Sequence, residues 1–254
     1  MRAFTISSKV KAVLLALSAV AFWLLVWEIT ALIVDVRFIF PTVSDTVVSL
    51  LSGVISSDFW VSVSLSLVRI LIGFALGVLL GVLLAVLCLL KPVYHLVQPL
   101  ITVIRCTPVA SFIMIFWLLV SNPYIPTLIA LLMVLPVIWQ SAYDAVSSLD
   151  RELTEVADIF EFSKSKRLLY LTAPTMVKAA LPSVITASGL AWKAGVAAEI
   201  ITYTKYSIGV EIAEAKNFLE GADLFAWTAV VVMLSLIVER VIKYFSVKAA
   251  KIWV

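Results

Sequence analysis

Six stretches of the chain run almost without polar side chains, at about residues 12–34, 67–90, 99–120, 125–146, 180–201 and 225–245. A hydrocarbon core about 30 Å thick needs about 20 mostly apolar residues per helical crossing, because lipid offers no partner to backbone N–H and C=O groups. Turn formers and most of the charge fall in the intervals, at 41–58, Lys91-Pro92, Ser121-Asn122-Pro123, 150–178 and 202–223. The pattern predicts an all-α membrane protein with six transmembrane helices, forming one domain over residues 1–254.

The first stretch has a basic lead (Arg2, Lys9, Lys11), and Ala19-Val20-Ala21 resembles a signal cleavage site. A signal's apolar region is only about 7–15 residues long, whereas this run continues to Val34, so a retained helix is expected. With the N-terminus inside, the inner segments carry thirteen Lys and Arg and the outer ones only Arg37, Lys205 and Lys216. That asymmetry predicts cytoplasmic termini and a multi-pass protein of the cell (inner, cytoplasmic) membrane.

Composition agrees with the spans. Of 254 residues, 63% are apolar and 14% charged, and the mean hydropathy is +1.13. So few charges would not cover a soluble core of this size, which argues against a soluble enzyme, a nucleic-acid binder or a disordered scaffold. Net charge is only +3 and supports no polyanion partner. Cys88 and Cys106 sit in apolar runs and indicate neither a disulfide framework nor a metal site. No glycine-rich phosphate loop is present, so no ATP hydrolysis is expected of this chain. His95, the one histidine, lies beside Lys91-Pro92 with no motif around it. The expectation is a non-catalytic chain that binds no cofactor or metal.

One inner segment, residues 147–178, is long. Leu153, Val156, Ala157 and Phe160 recur at helical spacing and form an apolar stripe, while Glu152, Glu155, Asp158 and Glu161 fill the remaining arc. Anionic headgroups would repel an acidic face, so the segment is better suited to a groove on a protein partner than to the inner leaflet.

Glu155-Val156-Ala157 followed by Leu171-Thr172-Ala173-Pro174 resembles the EAA loop of binding-protein-dependent ABC importer permeases. Val156, Leu171 and Ala173 depart from that pattern, and Glu161 stands where the family has a glycine that permits a tight turn. Without it, either the first short helix should continue or its turn should fall near Ser163. Other tracts share the resemblance: Phe40-Pro41-Thr42 with Val47 to Leu50, Leu67 through Phe74 with Gly77 and Gly81, Arg105-Cys106-Thr107-Pro108, Ala197-Ala198-Glu199, and Ile208-Gly209 with Glu214 to Asn217. In length and order the chain is most similar to the nitrate/sulfonate/taurine class, over about residues 38–245.

The resemblance implies a type I ABC importer permease fold and a transmembrane subunit that forms the substrate path. It also implies a second permease copy (a homodimer), two cytoplasmic ATPases that hold the ATP and magnesium, and an extracytoplasmic substrate-binding protein. Leu153, Glu155, Val156, Ala157, Phe160, Glu161 and Pro174 would then form the ATPase-docking surface. Gly73, Gly77 and Gly81, four residues apart on one helix face, are read as a helix-packing stripe. Lys193, Glu199 and Glu28 are the charges least able to leave their spans and are candidates for the translocation path, with an interhelical ion pair as the alternative. Lys193 and Glu199 lie about 240° apart round the helix. Arg69 and Arg105 lie close enough to span ends to snorkel. A cationic Lys193 would suit a small anion. The rival reading is a secondary transporter run by an ion gradient, for which Glu28 and Glu199 supply carboxylates but no internal repeat is evident.

Overall fold

A computed structural model describes the backbone of residues 8–147, 149 and 151–252. Its side chains are described except at 8–10, 12–13, 151–154, 164 and 249–252. All regular structure among the described residues is helical. The helices are α1 Ser8–Val34, α2 Val43–Ile55, α3 Ser57–Leu87, α4 Lys91–Cys106, α5 Val109–Leu119, α6 Ile125–Ser147, α7 Arg151–Ile159, α8 Lys164–Arg167, α9 Ala173–Thr202, α10 Ile208–Asn217 and α11 Gly221–Ile252. A π-helical turn, Leu168–Thr172, joins α8 to α9.

Five helical stretches among the described residues are long and apolar enough to cross a membrane, or six if α4 and α5 count as one broken span. The straight span expected at 99–120 is not formed, because α4 and α5 meet at an angle of 105°. Thr107 and Pro108 both take extended backbone angles there. A proline ring disfavours helical geometry in the residue before it and brings no N–H, so the ladder stops at Thr107. Two helices also occupy intervals read from the sequence as connections, α2 and α10.

By contacts the chain divides into two compact units. The first is Met1–Phe59 with Glu211–Val230. In it Trp27 and Phe40 both pack on Phe225, with ring centroids 5.4 and 5.5 Å away. Phe59 stacks on Trp227 at 4.8 Å, and Ser49 donates to Asp223. The Gly221 N–H donates to Phe38 O at 3.1 Å, and a Cβ at Gly221 would lie 2.6 Å from that oxygen. Only glycine permits so close an approach.

The second unit is Trp60–Val210 with Val231–Val254. Its centre is the pair α6 and α9. Ile125, Ile129, Ala194 and Ala198 are buried together with Ile113 of α5. A second cluster joins Trp139 and Ala142 to Ala85, Cys88, Ile101 and Met176. Helix α3 lies against α6 through its glycines. A Cβ at Gly73 would meet Thr127 O at 2.2 Å, one at Gly77 would meet Val134 Cβ at 2.7 Å, and one at Gly81 would meet Ile138 Cβ at 2.9 Å. The stripe therefore faces a helix of the same chain, where close backbones gain dispersion contacts. Gly195 of α9 does the same for Ile70, at 2.6 Å.

Candidate functional site

The loop before α9 is built from two short helices and a tight reversal. Helix α7 ends at Ile159, and the Glu161 backbone is left-handed, with φ 49°. The Phe162 N–H donates to Ala157 O at 2.9 Å and the Glu161 N–H to Asp158 O at 3.0 Å. These are the two bonds of a Schellman stop, which normally places glycine in the left-handed position. The expectation that the helix runs on, or turns near Ser163, is thus corrected. The turn falls at Glu161 itself, and the carboxylate residue carries a backbone strain of about 1–2 kcal/mol. An ion pair between Asp158 and Arg167 closes the reversal from the other side.

What this turn presents is apolar. Val156, Ile159 and Phe160 are 48%, 78% and 70% exposed on one edge of α7. Ala157, expected on the same stripe, points inward instead and is 4% exposed. Glu155 and Glu161 are exposed beside that edge. The backbone of Leu153 is helical, but its side chain lies outside the described residues. Pro174 is the second residue of α9, directly after the π-helical turn Leu168–Thr172, and such a wider turn accommodates the hydrogen bond that a proline cannot make. From Lys164 the chain stays helical through the π-turn to Thr202, which connects this edge to α9.

Glu28, Glu199 and Lys193, the charges expected to be least able to leave their spans, have unlike surroundings. Glu28 Oε2 accepts the Val43 N–H at 2.8 Å, and Thr42 Oγ1 accepts the Asp45 N–H at 3.1 Å. Both satisfy orphan donors at the start of α2, so Glu28, taken as a path candidate, serves as a helix cap.

Glu199 is fully buried. Its Oε2 accepts the Ser66 hydroxyl at 2.8 Å and the Gly209 N–H at 3.3 Å. Its Oε1 lies 3.8 Å from Arg69 Nη1 and has no hydrogen-bond partner among the described residues. Arg69, expected to snorkel, instead donates to the backbone oxygens of Lys205 and Tyr206 at 3.2 and 3.0 Å. For Glu199 the interhelical ion pair is the arrangement observed, since a buried carboxylate with no solvent contact lines no aqueous wall.

Lys193 is exposed, on a face of α9 shared with Pro182, Thr186 and Gly189 at helical spacing. A Cβ added to Gly189 would meet nothing within 4 Å, so this chain leaves the face uncovered. Lysine at the centre of a lipid-facing span costs about 2.5–3.5 kcal/mol on insertion scales. Water or a polar partner relieves that cost. A second polar group lies between α4 and α6. Arg105 Nη1 donates to Gln140 Oε1 at 3.2 Å, and Gln140 Nε2 donates to both Asp144 oxygens at 2.7 and 2.8 Å. Gln140 escaped a reading based on charge because its amide has none. The signal was its place four residues before Asp144 inside an apolar run.

Comparison with known proteins matches residues 77–250 to a family described as binding-protein-dependent transport system inner membrane component. No curated protein matches the chain. A solved structure titled "Crystal structure of an amino acid ABC transporter with histidines" is similar in fold, with a TM-score of 0.59 and 13% identity. The alignment covers 73% of this chain and 89% of that one.

Proposed function

Because the chain belongs to the family of binding-protein-dependent transport system inner membrane components, we propose that it is the transmembrane permease subunit of an ATP-driven importer that docks its ATPase through α7. The observation that carries this reading is the exposed apolar edge Val156, Ile159 and Phe160, held by a Schellman stop. Burying a large apolar side chain stabilises an interface by about 1.5–3 kcal/mol. An edge of three can anchor a partner, and the surrounding carboxylates Glu155 and Glu161 favour a basic rim on it.

ATP-driven closure of two ATPases pulls on α7. The helical run from Lys164 to Thr202 passes that displacement into the membrane, where α9 carries Lys193. Rigid-body motion of packed helices then exchanges inward and outward access. The excess of Lys and Arg on the α7 side supports a cytoplasmic position for that side and for both termini. The uncovered face of α9 faces a second copy of the chain across a shared path, and its lysine favours a small anion of the nitrate, sulfonate or taurine class. Substrate arrives from a separate binding protein.

The test is uptake into proteoliposomes holding permease, ATPase and binding protein, with taurine and nitrate as probes. Uptake that requires ATP, and that Lys193→Ala lowers while the complex stays assembled, supports the reading. Uptake that needs an ion gradient and no ATP contradicts it.

A further inference from the structure

Arg105, Gln140 and Asp144 form a polar ladder inside the membrane-crossing part of the chain. Gln140 accepts from the guanidinium with its oxygen and donates to the carboxylate with its nitrogen, so the amide stands between a cation and an anion. Arg105 and Asp144 are exposed and Gln140 is partly so, while Ile138, Trp139 and Ala142 of the same helix are buried. Gln140 lies seven residues before the end of α6, which is about 10 Å of helix. Arg105 closes α4 at the 105° break.

Such a face is poorly matched to lipid tails, which solvate neither a guanidinium nor a carboxylate. A water-filled passage meets its needs. A guanidinium has five N–H donors in a planar fork, and Gln140 takes one of them. Among the described residues the rest of the fork has no other hydrogen-bond partner, and it fits two oxygens of one anionic group, as in a sulfonate or carboxylate. Asp144 offsets part of the positive charge. A passing anion is then held briefly rather than trapped, as conduction requires.

We propose that Arg105, oriented by Gln140 and Asp144, is an anion-contacting, specificity-determining residue on the translocation path. The proposal deepens the permease reading and rests on it. It adds a contact that charge alone would leave to the snorkelling arginines.

The wild-type chain carries a probe for this. Cys106 is exposed beside Arg105, whereas Cys88 is buried. The full complex in proteoliposomes is treated with a sulfonate-bearing or a trimethylammonium-bearing methanethiosulfonate, and the rate of Cys106 modification is followed by mass spectrometry. Both reagents are expected to reach Cys106. The ratio of sulfonate to ammonium rates is expected to fall several-fold in Arg105→Gln, to fall less in Gln140→Leu, and to recover in Arg105→Lys. In the wild type alone the ratio should drop with rising ionic strength, a readout that survives if a variant fails to fold. A thiol that neither reagent modifies until the protein is denatured would mean lipid or a second copy covers the face, and would overturn the proposal. An unchanged ratio in Arg105→Gln would overturn it as well. The labelling uses no transported substrate, so its failure leaves the permease reading intact. Failure of ATP-dependent uptake would strike that reading whatever the labelling shows, and the proposal that rests on it would fall too.

Discussion

Glu199 accepts the hydroxyl of Ser66 at 2.8 Å, joining α9 to α3 across 133 positions of sequence. The same hydroxyl oxygen accepts the Ile208 N–H at 2.9 Å, and the carboxylate accepts the Gly209 N–H at 3.3 Å. Two buried side chains thus satisfy the first donors of α10. Both Ser66→Ala and Glu199→Ala are expected to destabilise the protein by about 1–3 kcal/mol, because each leaves buried polar groups without partners. Their effects should not add, since each removes the same network. Thermal unfolding of both single variants and the double variant in detergent checks this. Strict additivity would mean that the two side chains act separately.

The strained turn in the loop before α9 makes a prediction with a sign. At Glu161 the left-handed backbone penalises any Cβ, so Glu161→Gly should stabilise the local turn by up to about 1 kcal/mol. Glu161→Val should destabilise it, because a β-branched side chain tolerates that conformation least. Hydrogen exchange at the amides of residues 161 and 162 reports both, as these donate to Asp158 O and Ala157 O. Slower exchange in the glycine variant and faster exchange in the valine variant are expected.

Two glycines offer a matched comparison. A Cβ at Gly77 would meet Val134 Cβ at 2.7 Å and Leu131 O at 2.9 Å, and one of those neighbours is backbone that cannot rotate away. Gly77→Ala should therefore cost about 1–3 kcal/mol by forcing α3 off α6. A Cβ at Gly189 meets nothing within 4 Å, so Gly189→Ala should leave the stability of the single chain within about 0.5 kcal/mol. The melting temperatures of the two variants, measured at the same detergent concentration, separate these outcomes.

Hydropathy made most membrane-crossing helices legible, because apolar length is a local property of sequence. It did not show the break at Thr107 and Pro108, since a window average contains no direction and the residues on both sides of the break are apolar. Helices α2 and α10 were hidden by their mixed composition. Their starts are held by groups distant in sequence, Glu28 for one and Ser66 with Glu199 for the other. The capping role of Glu28 was hidden for the same reason: its partner is a backbone N–H, which no side-chain pattern announces. The apolar edge of α7 was visible as periodicity, but Ala157 turned inward and Ile159 took a place on the exposed edge. At Glu161 the missing glycine was visible, whereas the chain's acceptance of the strain was not.

Co-purification of the cytoplasmic ATPase tests docking through α7 most directly. Val156→Glu and Phe160→Glu each place a charge on the exposed apolar edge without touching the buried side of the loop. The expected result is loss of ATPase from the purified complex, while the permease itself keeps its wild-type melting temperature. Full recovery of ATPase with both variants would contradict docking through α7.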